Sequence, residues 1–167
     1  MGEKELPWTR ERLVPTLAGG IACEHLHRYA IAREVVAGRD VLDIACGEGY
    51  GSALLAQSAK SVVGVDVDPN AVAHAASKYG GGNARFLHGE CVAIPAGEAS
   101  VDVVVSFETI EHISEHEVFL SEIRRVLRPG GLVIISTPER ENYGDIRKPR
   151  SSVFDLRTEV MVGHSRE

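Results

Sequence analysis

The sequence lacks cysteine pairs, long apolar runs and any signal for export. Its three cysteines, Cys23, Cys46 and Cys91, are widely spaced and form no CxxC pair. Neither a disulfide framework nor a structural zinc site is therefore indicated. No apolar stretch approaches the roughly 20 residues that a membrane helix needs, and the N-terminus is too charged for a signal peptide. We expect a cytoplasmic protein with reduced thiols and no membrane partner.

The chain also lacks a net positive charge and a phosphate-binding loop. Its net charge of −6 gives no general attraction to nucleic acid, and the pattern GxxxxGK[ST] does not occur. A chain of 167 residues, 44% of them hydrophobic, is sufficient for one compact domain. We expect a single domain over 1–167, with an N-terminal helical cap at 1–37, a core at 38–137 and an incomplete C-terminal segment at 138–167.

Short β-rich runs alternate with helix-like stretches along the chain. The predicted strands lie at 40–45, 61–67, 84–89, 101–107 and 132–137, and the predicted helices lie near 20–37, 50–59, 70–79 and 114–127. Several strands are almost continuously apolar, as strands covered on both faces should be. The alternation predicts an α/β fold with a doubly wound, mostly parallel sheet. The C-terminal strands are expected to be short or missing. At most one of them is expected, near 159–163, and the same segment could instead lie as an ordered lid.

The stretch VLDIACGEGYGS, residues 41–52, lies where the first strand turns into the first helix of the sheet. Ligands of doubly wound sheets bind beyond the carboxyl ends of the strands. Gly47 and Gly49 allow a sharp turn and a close approach of ligand to backbone. Asp43 is costly to bury unless a donor or cation lies near it, so it indicates a positively charged or hydrogen-bond-donating ligand group. A tight turn without a ligand is the alternative.

A second acidic residue, Asp66, ends the second strand, where nucleotide-binding sheets accept hydrogen bonds from ribose hydroxyls. Asp68 is better interpreted as a helix cap, because Pro69 and Asn70 follow it. A dinucleotide-binding domain would place its third glycine at Ser52, so the spacing disfavours an NAD-dependent oxidoreductase without excluding it.

Five segments in order resemble the class I S-adenosylmethionine-dependent methyltransferases, particularly the small-molecule group often called type 11. They are VLDIACGEGYG, GVDVD, GECVAIP, VDVVVSFETIEHI and VLRPGGLVIISTP, within about residues 20–137. The resemblance implies a Rossmann-like fold, S-adenosylmethionine as cofactor and S-adenosylhomocysteine as product. It also implies a small-molecule acceptor with an oxygen or nitrogen nucleophile, such as a saccharide-like compound. A cofactor-binding module without turnover and a metal-assisted RNA 2′-O-methyltransferase are the alternatives.

The resemblance further implies a set of cofactor-binding residues at the ends of the strands and on the first helix. The set is Arg28, Tyr29, Asp43, Ala45, Gly47, Gly49, Asp66, Val67, Glu90, Cys91, Phe107 and Glu108. Asp43 and the glycine backbone would hold the methionine part, because carboxylates favour the α-ammonium and sulfonium cations. Asp66 would bind the ribose hydroxyls, and Glu90 with the Cys91 amide would read adenine.

The remaining members of the set would lie around the reacting methyl group. Phe107 and Glu108 would border the methionine and the transferable methyl. Arg28 and Tyr29 would reach the cofactor carboxylate or the acceptor, or else lie on a solvated helix face. Ala45 stands where the family has its first glycine, and we expect it to tighten the turn without blocking it.

Glu111 and His112 follow the fourth strand and are the candidate catalytic residues, since an imidazole titrates close to neutral pH. Alternatively, Glu111 positions the loop and His112 packs on the next helix. With Glu108 and a later His164, they also resemble a metal-binding pattern, although no metal is expected. A sheet without its last strands exposes an edge, which favours a homodimer.

Overall fold

The computed structural model describes the backbone of residues 20–137 and 161–164 and the side chains of 25–137. The helices are α1 (Gly20–Val35), α2 (Tyr50–Ala56), α3 (Pro69–Tyr79) and α4 (His116–Val126), with a 3-10 turn at Ile110–His112. The strands are β1 (Asp40–Ile44), β2 (Ser61–Asp66), β3 (Ala84–His88), β4 (Val101–Phe107), β5 (Leu127–Ser136) and β6 (Met161–His164). Every helix within the described part of the chain is too short or too polar to cross a bilayer.

The six strands form one sheet in the order β3-β2-β1-β4-β5-β6. The first five strands in the sequence are parallel, and β6 pairs antiparallel with β5. This arrangement confirms the predicted doubly wound α/β fold, and β6 overlaps the place near 159–163 where a further strand was one of the alternatives. The strand order reverses between β1 and β4, and such a switch point opens a crevice at the carboxyl ends of the strands.

The central strands read as apolar runs because both of their faces are buried. Val103 and Val105 of β4 pack on the side of α1 and α2, where Tyr29 and Leu55 also lie. Val104 packs on the opposite side, among the residues of α4. Burial on both faces fixes β1 and β4 firmly, so the residues at their carboxyl ends are held on a rigid support.

The fifth strand begins earlier than predicted. We expected a strand from 132, but β5 starts at Leu127, directly after α4 ends. The residues that stop the helix continue into the sheet through a register shift between Val101 and Val103 of β4. Gly130 has a φ of +75° in this irregular segment, which a residue with a side chain adopts only at a cost.

A network of charges ties together the amino ends of the strands. Arg128 donates to Asp102 at 2.7 Å and to Asp40 at 3.0 Å, and Lys60 donates to Asp40 at 2.9 Å. Hydrogen bonds hold the pKa of both carboxyl groups below their usual range. The Ser61 hydroxyl contributes most at Asp40, ahead of Lys60 and Arg128, and Arg128 contributes most at Asp102. The network lies at the edge of the sheet opposite the crevice.

Candidate functional site

The carboxylate of Asp43 lies fully buried near the carboxyl end of β1. Ser52 donates to it at 2.6 Å, and the Tyr29 hydroxyl donates at 3.2 Å. Burial raises the pKa of Asp43 to about 7, while the two hydrogen bonds lower it and the neighbouring Asp66 raises it further. Both of these donors are neutral hydroxyls, so the carboxyl group is poised to gain a proton or a nearby cation.

The structure excludes one of the two alternatives for Tyr29, the solvated helix face. The residue does not lie on a solvated face; its ring is buried and packs edge-on against Tyr50 and Phe107, with ring centres 5.7 and 4.9 Å away. Its hydroxyl is directed to Asp43 rather than into open space, because the aromatic cluster fixes the ring. Tyr29 therefore links α1 to the end of β1.

The loop after β1 has an unusual backbone. Ala45, Gly47 and Gly49 have φ values of 61°, 56° and 88°. A Cβ on Gly49 would lie 2.6 Å from the Cβ of Ala75 and 2.8 Å from the Phe86 ring, so only glycine fits this position. Ala45 therefore adopts a left-handed conformation that a residue with a Cβ rarely adopts.

The carboxylate of Asp66, at the end of β2, is held against this loop. It accepts hydrogen bonds from the backbone amides of Gly47 at 2.8 Å and Asp68 at 2.9 Å. Asp68 itself accepts from the amide of Asn70 at 2.8 Å and caps α3, as predicted. Val67 is 63% exposed and presents an apolar surface beside Asp66.

The segment after β3 lies next to the same end of the sheet. The Gly89 amide donates to the carbonyl of Asp66 at 3.0 Å, and the Ala93 amide donates to the carbonyl of Glu90 at 3.2 Å. Glu90 is exposed and Cys91 is half-buried. Burial raises the pKa of Cys91 to about 11, so its thiol is protonated at neutral pH and is not a nucleophile.

The end of β4 carries a second strained residue. Glu108 has a φ of 51° and receives a hydrogen bond from the Ser136 hydroxyl at 3.1 Å. Arg28 of α1 lies 3.4 Å from the same carboxylate oxygen. The pair brings α1 over the ends of β4 and β5, and Arg28 is thereby placed at the crevice rather than on a remote helix face.

The candidate catalytic residues lie on the 3-10 turn that follows. The Thr137 hydroxyl donates to Glu111 at 3.2 Å. His112 is exposed. The described side chains contain no group of three or more metal-ligating residues, and the side chain of His164 lies outside them. Proton transfer by His112 or Glu111 stays a prediction.

Ser52 is the residue of this crevice that sequence reasoning missed. In the glycine pattern Ser52 stands only for a missing glycine, whereas in the structure it is fully buried and makes the shortest hydrogen bond to Asp43. A hydroxyl in the first turn of the helix after a buried acid was the available signal. Together, the ends of β1, β2 and β4 carry three carboxylates, Asp43, Asp66 and Glu108, at the same end of the sheet as the glycine loop.

Comparison with known proteins gives consistent similarities. A family model described as "Methyltransferase domain" matches residues 42–135. The chain is 42% identical over 154 residues to a "Probable S-adenosylmethionine-dependent methyltransferase" of Mycolicibacterium smegmatis, covering 91% of this chain and 59% of that protein. It is 34% identical over 123 residues to a "Ubiquinone biosynthesis O-methyltransferase" of Rhizobium johnstonii, covering 71% and 49%. The chain thus spans about half the length of these relatives.

A solved structure shares the fold. The crystal structure of a SAM dependent methyltransferase from Aquifex aeolicus superposes on this chain with a TM-score of 0.61 at 27% sequence identity. The match covers 68% of this chain and 66% of that one. The range 42–135 that the family model matches includes Asp43, Asp66, Glu90 and Glu108.

Proposed function

Because this chain belongs to the methyltransferase domain family, we propose that it binds S-adenosylmethionine in the crevice and transfers its methyl group to a small-molecule acceptor. The observation that carries the proposal is the Asp66 carboxylate, held at the end of β2 beside the glycine loop. In sheets of this kind, an acidic residue there binds ribose hydroxyls.

The residues around the crevice suit the chemical groups of this cofactor. Gly49 needs no Cβ because the side chains of Ala75 and Phe86 fill that space, and this packing fixes the path of the loop whose Gly47 amide donates to Asp66. Asp43 and Glu108 supply negative charge where a sulfonium and an α-ammonium group would need it, and Arg28 supplies positive charge for a carboxylate. The exposed Val67 offers an apolar surface suited to a base ring.

When bound, S-adenosylmethionine supplies a methyl group on a positively charged sulfur. The protein then has three tasks, which are to align the acceptor, exclude water and, where needed, remove a proton. The Phe107 ring, buried at the end of β4 against Tyr29, would exclude water on that side. We assign proton removal to His112, with Glu111 beside it, because the exposed imidazole can meet an incoming acceptor.

The catalytic assignment is tested by His112→Ala. Loss of a general base should lower kcat by roughly 100-fold while the Kd of S-adenosylhomocysteine stays nearly constant. His27→Ala is the matched control, because His27 is also exposed but lies on α1 rather than on the 3-10 turn. Full turnover of the His112 variant would remove it from the reaction.

We propose an oxygen or nitrogen nucleophile on the acceptor, with saccharide-like compounds among the first to be tried. The Rhizobium relative is named as an O-methyltransferase, which supports an oxygen atom as the nucleophile of the acceptor. A panel of hydroxyl and amine acceptors, followed by release of S-adenosylhomocysteine, would identify the class. Binding without release for every acceptor would favour a cofactor-binding module without turnover.

We also propose a homodimer, on the grounds of the edge strands that the sheet has with β6 in place. The edge of β5 is paired with β6, so β3 and β6 are the edge strands of the described sheet. Edge strands tend to be covered or paired. Light scattering over a range of concentrations tests this, and a monomer at every concentration would refute it.

The cofactor site is tested by Asp66→Asn with Asp68→Asn as its matched control. The first substitution removes the proposed charged acceptor and should weaken S-adenosylhomocysteine binding by about 1.5 to 3 kcal/mol. The second preserves a good helix cap, since asparagine caps as well as aspartate, and should leave the affinity unchanged. Equal affinities for wild type and Asp66→Asn would place the cofactor elsewhere.

A further inference from the structure

We propose that the ion pair between Glu122 and Arg125 on α4 positions the segment 89–96 and thereby sets cofactor affinity without contacting the cofactor. The inference rests on the proposed function, because Glu90 and Cys91 of this segment are the residues assigned to adenine. Glu122 and Arg125 would be positioning residues.

The ion pair is bidentate and lies within one turn of α4. Arg125 donates through Nε to one carboxylate oxygen of Glu122 and through Nη2 to the other, both at 2.7 Å. Such paired, charge-assisted bonds fix the plane and direction of the guanidinium group. The remaining donors of Arg125 are therefore aimed in fixed directions.

Those donors and the carboxylate are directed at the backbone of the segment. Arg125 donates to the carbonyls of Ala96 at 2.7 Å and Ile94 at 2.9 Å. Glu122 accepts from the amide of Ile94 at 2.8 Å. The pair thus holds both the amide and the carbonyl of one residue, and the Ile94 side chain is buried in the core beneath it.

A displacement there would reach the proposed adenine site through two close contacts. The ring of Pro95 lies where a Cβ on Gly89 would be, at 2.6 Å. Gly89 in turn donates to the carbonyl of Asp66. A shift of residues 94–96 would therefore press on Gly89, which adjoins Glu90, and alter the spacing between Glu90 and Asp66.

The exposure of the pair favours positioning over global stability. The side chains of Arg125 and Glu122 are 36% and 18% exposed, and ion pairs near the surface contribute little to folding. Three bonds from this pair nevertheless end on one loop. The main effect of losing them should fall on that loop.

The test measures the Kd of S-adenosylhomocysteine by calorimetry, kcat at saturating cofactor, and Tm. For Arg125→Gln we expect Kd to rise about 10-fold, which corresponds to about 1.4 kcal/mol, while kcat stays within about twofold of wild type. Glu122→Gln should raise Kd in the same direction.

Two control variants separate positioning from stability. Arg124→Gln removes the same charge from the neighbouring, exposed position of α4. Arg128→Gln breaks an arginine network at the opposite edge of the sheet and should lower Tm. Neither control should change Kd.

An unchanged Kd for Arg125→Gln, with Tm lowered as in Arg128→Gln, would overturn the inference. Should Arg125→Gln fail to fold, Arg125→Lys decides instead, because lysine keeps the charge but cannot form the fork; its Kd must still rise. Failure of the wild type to bind would contradict the proposed function itself. Binding that Asp66→Asn weakens and Arg125→Gln does not would contradict this inference alone.

Discussion

At the scale of single residues, two side chains sit on strained backbone at the crevice. Ala45 follows β1 with a φ of 61°, and Glu108 follows β4 with a φ of 51°. Left-handed backbone costs a residue with a Cβ about 1 to 2 kcal/mol. Such strain persists only where the surroundings impose it, and it often occurs at functional sites.

Replacing Ala45 by glycine should release this strain. We expect Ala45→Gly to raise the free energy of unfolding by about 1 kcal/mol, after allowing for the greater freedom of glycine in the unfolded chain. Urea denaturation measures the change. Ala53→Gly, within α2, should instead destabilise by about 1 kcal/mol, so equal losses for both variants would contradict the account of Ala45.

The ionisation of Asp43 should control cofactor affinity. Its pKa is raised to about 7, mainly by burial, and a cationic ligand favours the charged form. The affinity for S-adenosylmethionine should therefore rise about tenfold between about pH 6 and 8. Of the facing groups, Ser52 carries no charge, and burial raises the pKa of Tyr29 well above its usual value, so its hydroxyl stays neutral in that range. Calorimetry with Asp43→Asn should show a flat profile, and an unchanged slope would assign the effect to another group.

At the scale of elements, one close contact sets how α1 packs against α2. The ring of Tyr29 occupies the place where a Cβ on Gly51 would be. Since the ring is locked between Tyr50 and Phe107, it cannot move away without a loss of packing. The spacing between these two helices therefore depends on one glycine.

We expect Gly51→Ala to reduce the free energy of unfolding by about 1 to 3 kcal/mol, the usual cost of overpacking. Chemical denaturation measures the loss. Tyr29→Leu should make room for the added methyl group, so the double variant should lose less than the sum of the single variants. Strict additivity would show that Gly51 and Tyr29 are not coupled.

The elements themselves could largely be predicted from the sequence. Apolar runs located β1, β2 and β4, because burial on both faces excludes polar residues there. The extent of β5 could not be predicted, since Arg128 and Gly130 signal a helix end and the register shift depends on β4. The partners of Asp43 were also missed, because Tyr29 and Ser52 meet it only after three elements pack together.

At the scale of the whole molecule, two buried groups act on stability in opposite directions. The pKa of Asp43 is raised from 3.8 to about 7, so the folded state holds a proton that the unfolded state has lost, and stability falls as pH rises through that range. Burial lowers the pKa of His25 from 6.5 to about 4, assisted by Arg28. The unfolded state then holds the extra proton, and stability rises with pH over that range.

The two effects should largely offset one another in the wild type between about pH 4 and 6.5. Asp43→Asn should leave a stability that increases with pH, whereas His25→Gln should leave one that decreases. Urea denaturation at several pH values tests both signs. Parallel profiles for the two variants would contradict the assignment.

The central claim, that the crevice binds S-adenosylmethionine, is tested most directly by calorimetric titration of the wild-type protein with that ligand, S-adenosylhomocysteine and NAD. We predict saturable one-to-one binding of the first two and no binding of NAD, since the glycine pattern is interrupted at the buried Ser52. Absence of binding by both S-adenosyl compounds, or equal affinity for NAD, would contradict the account.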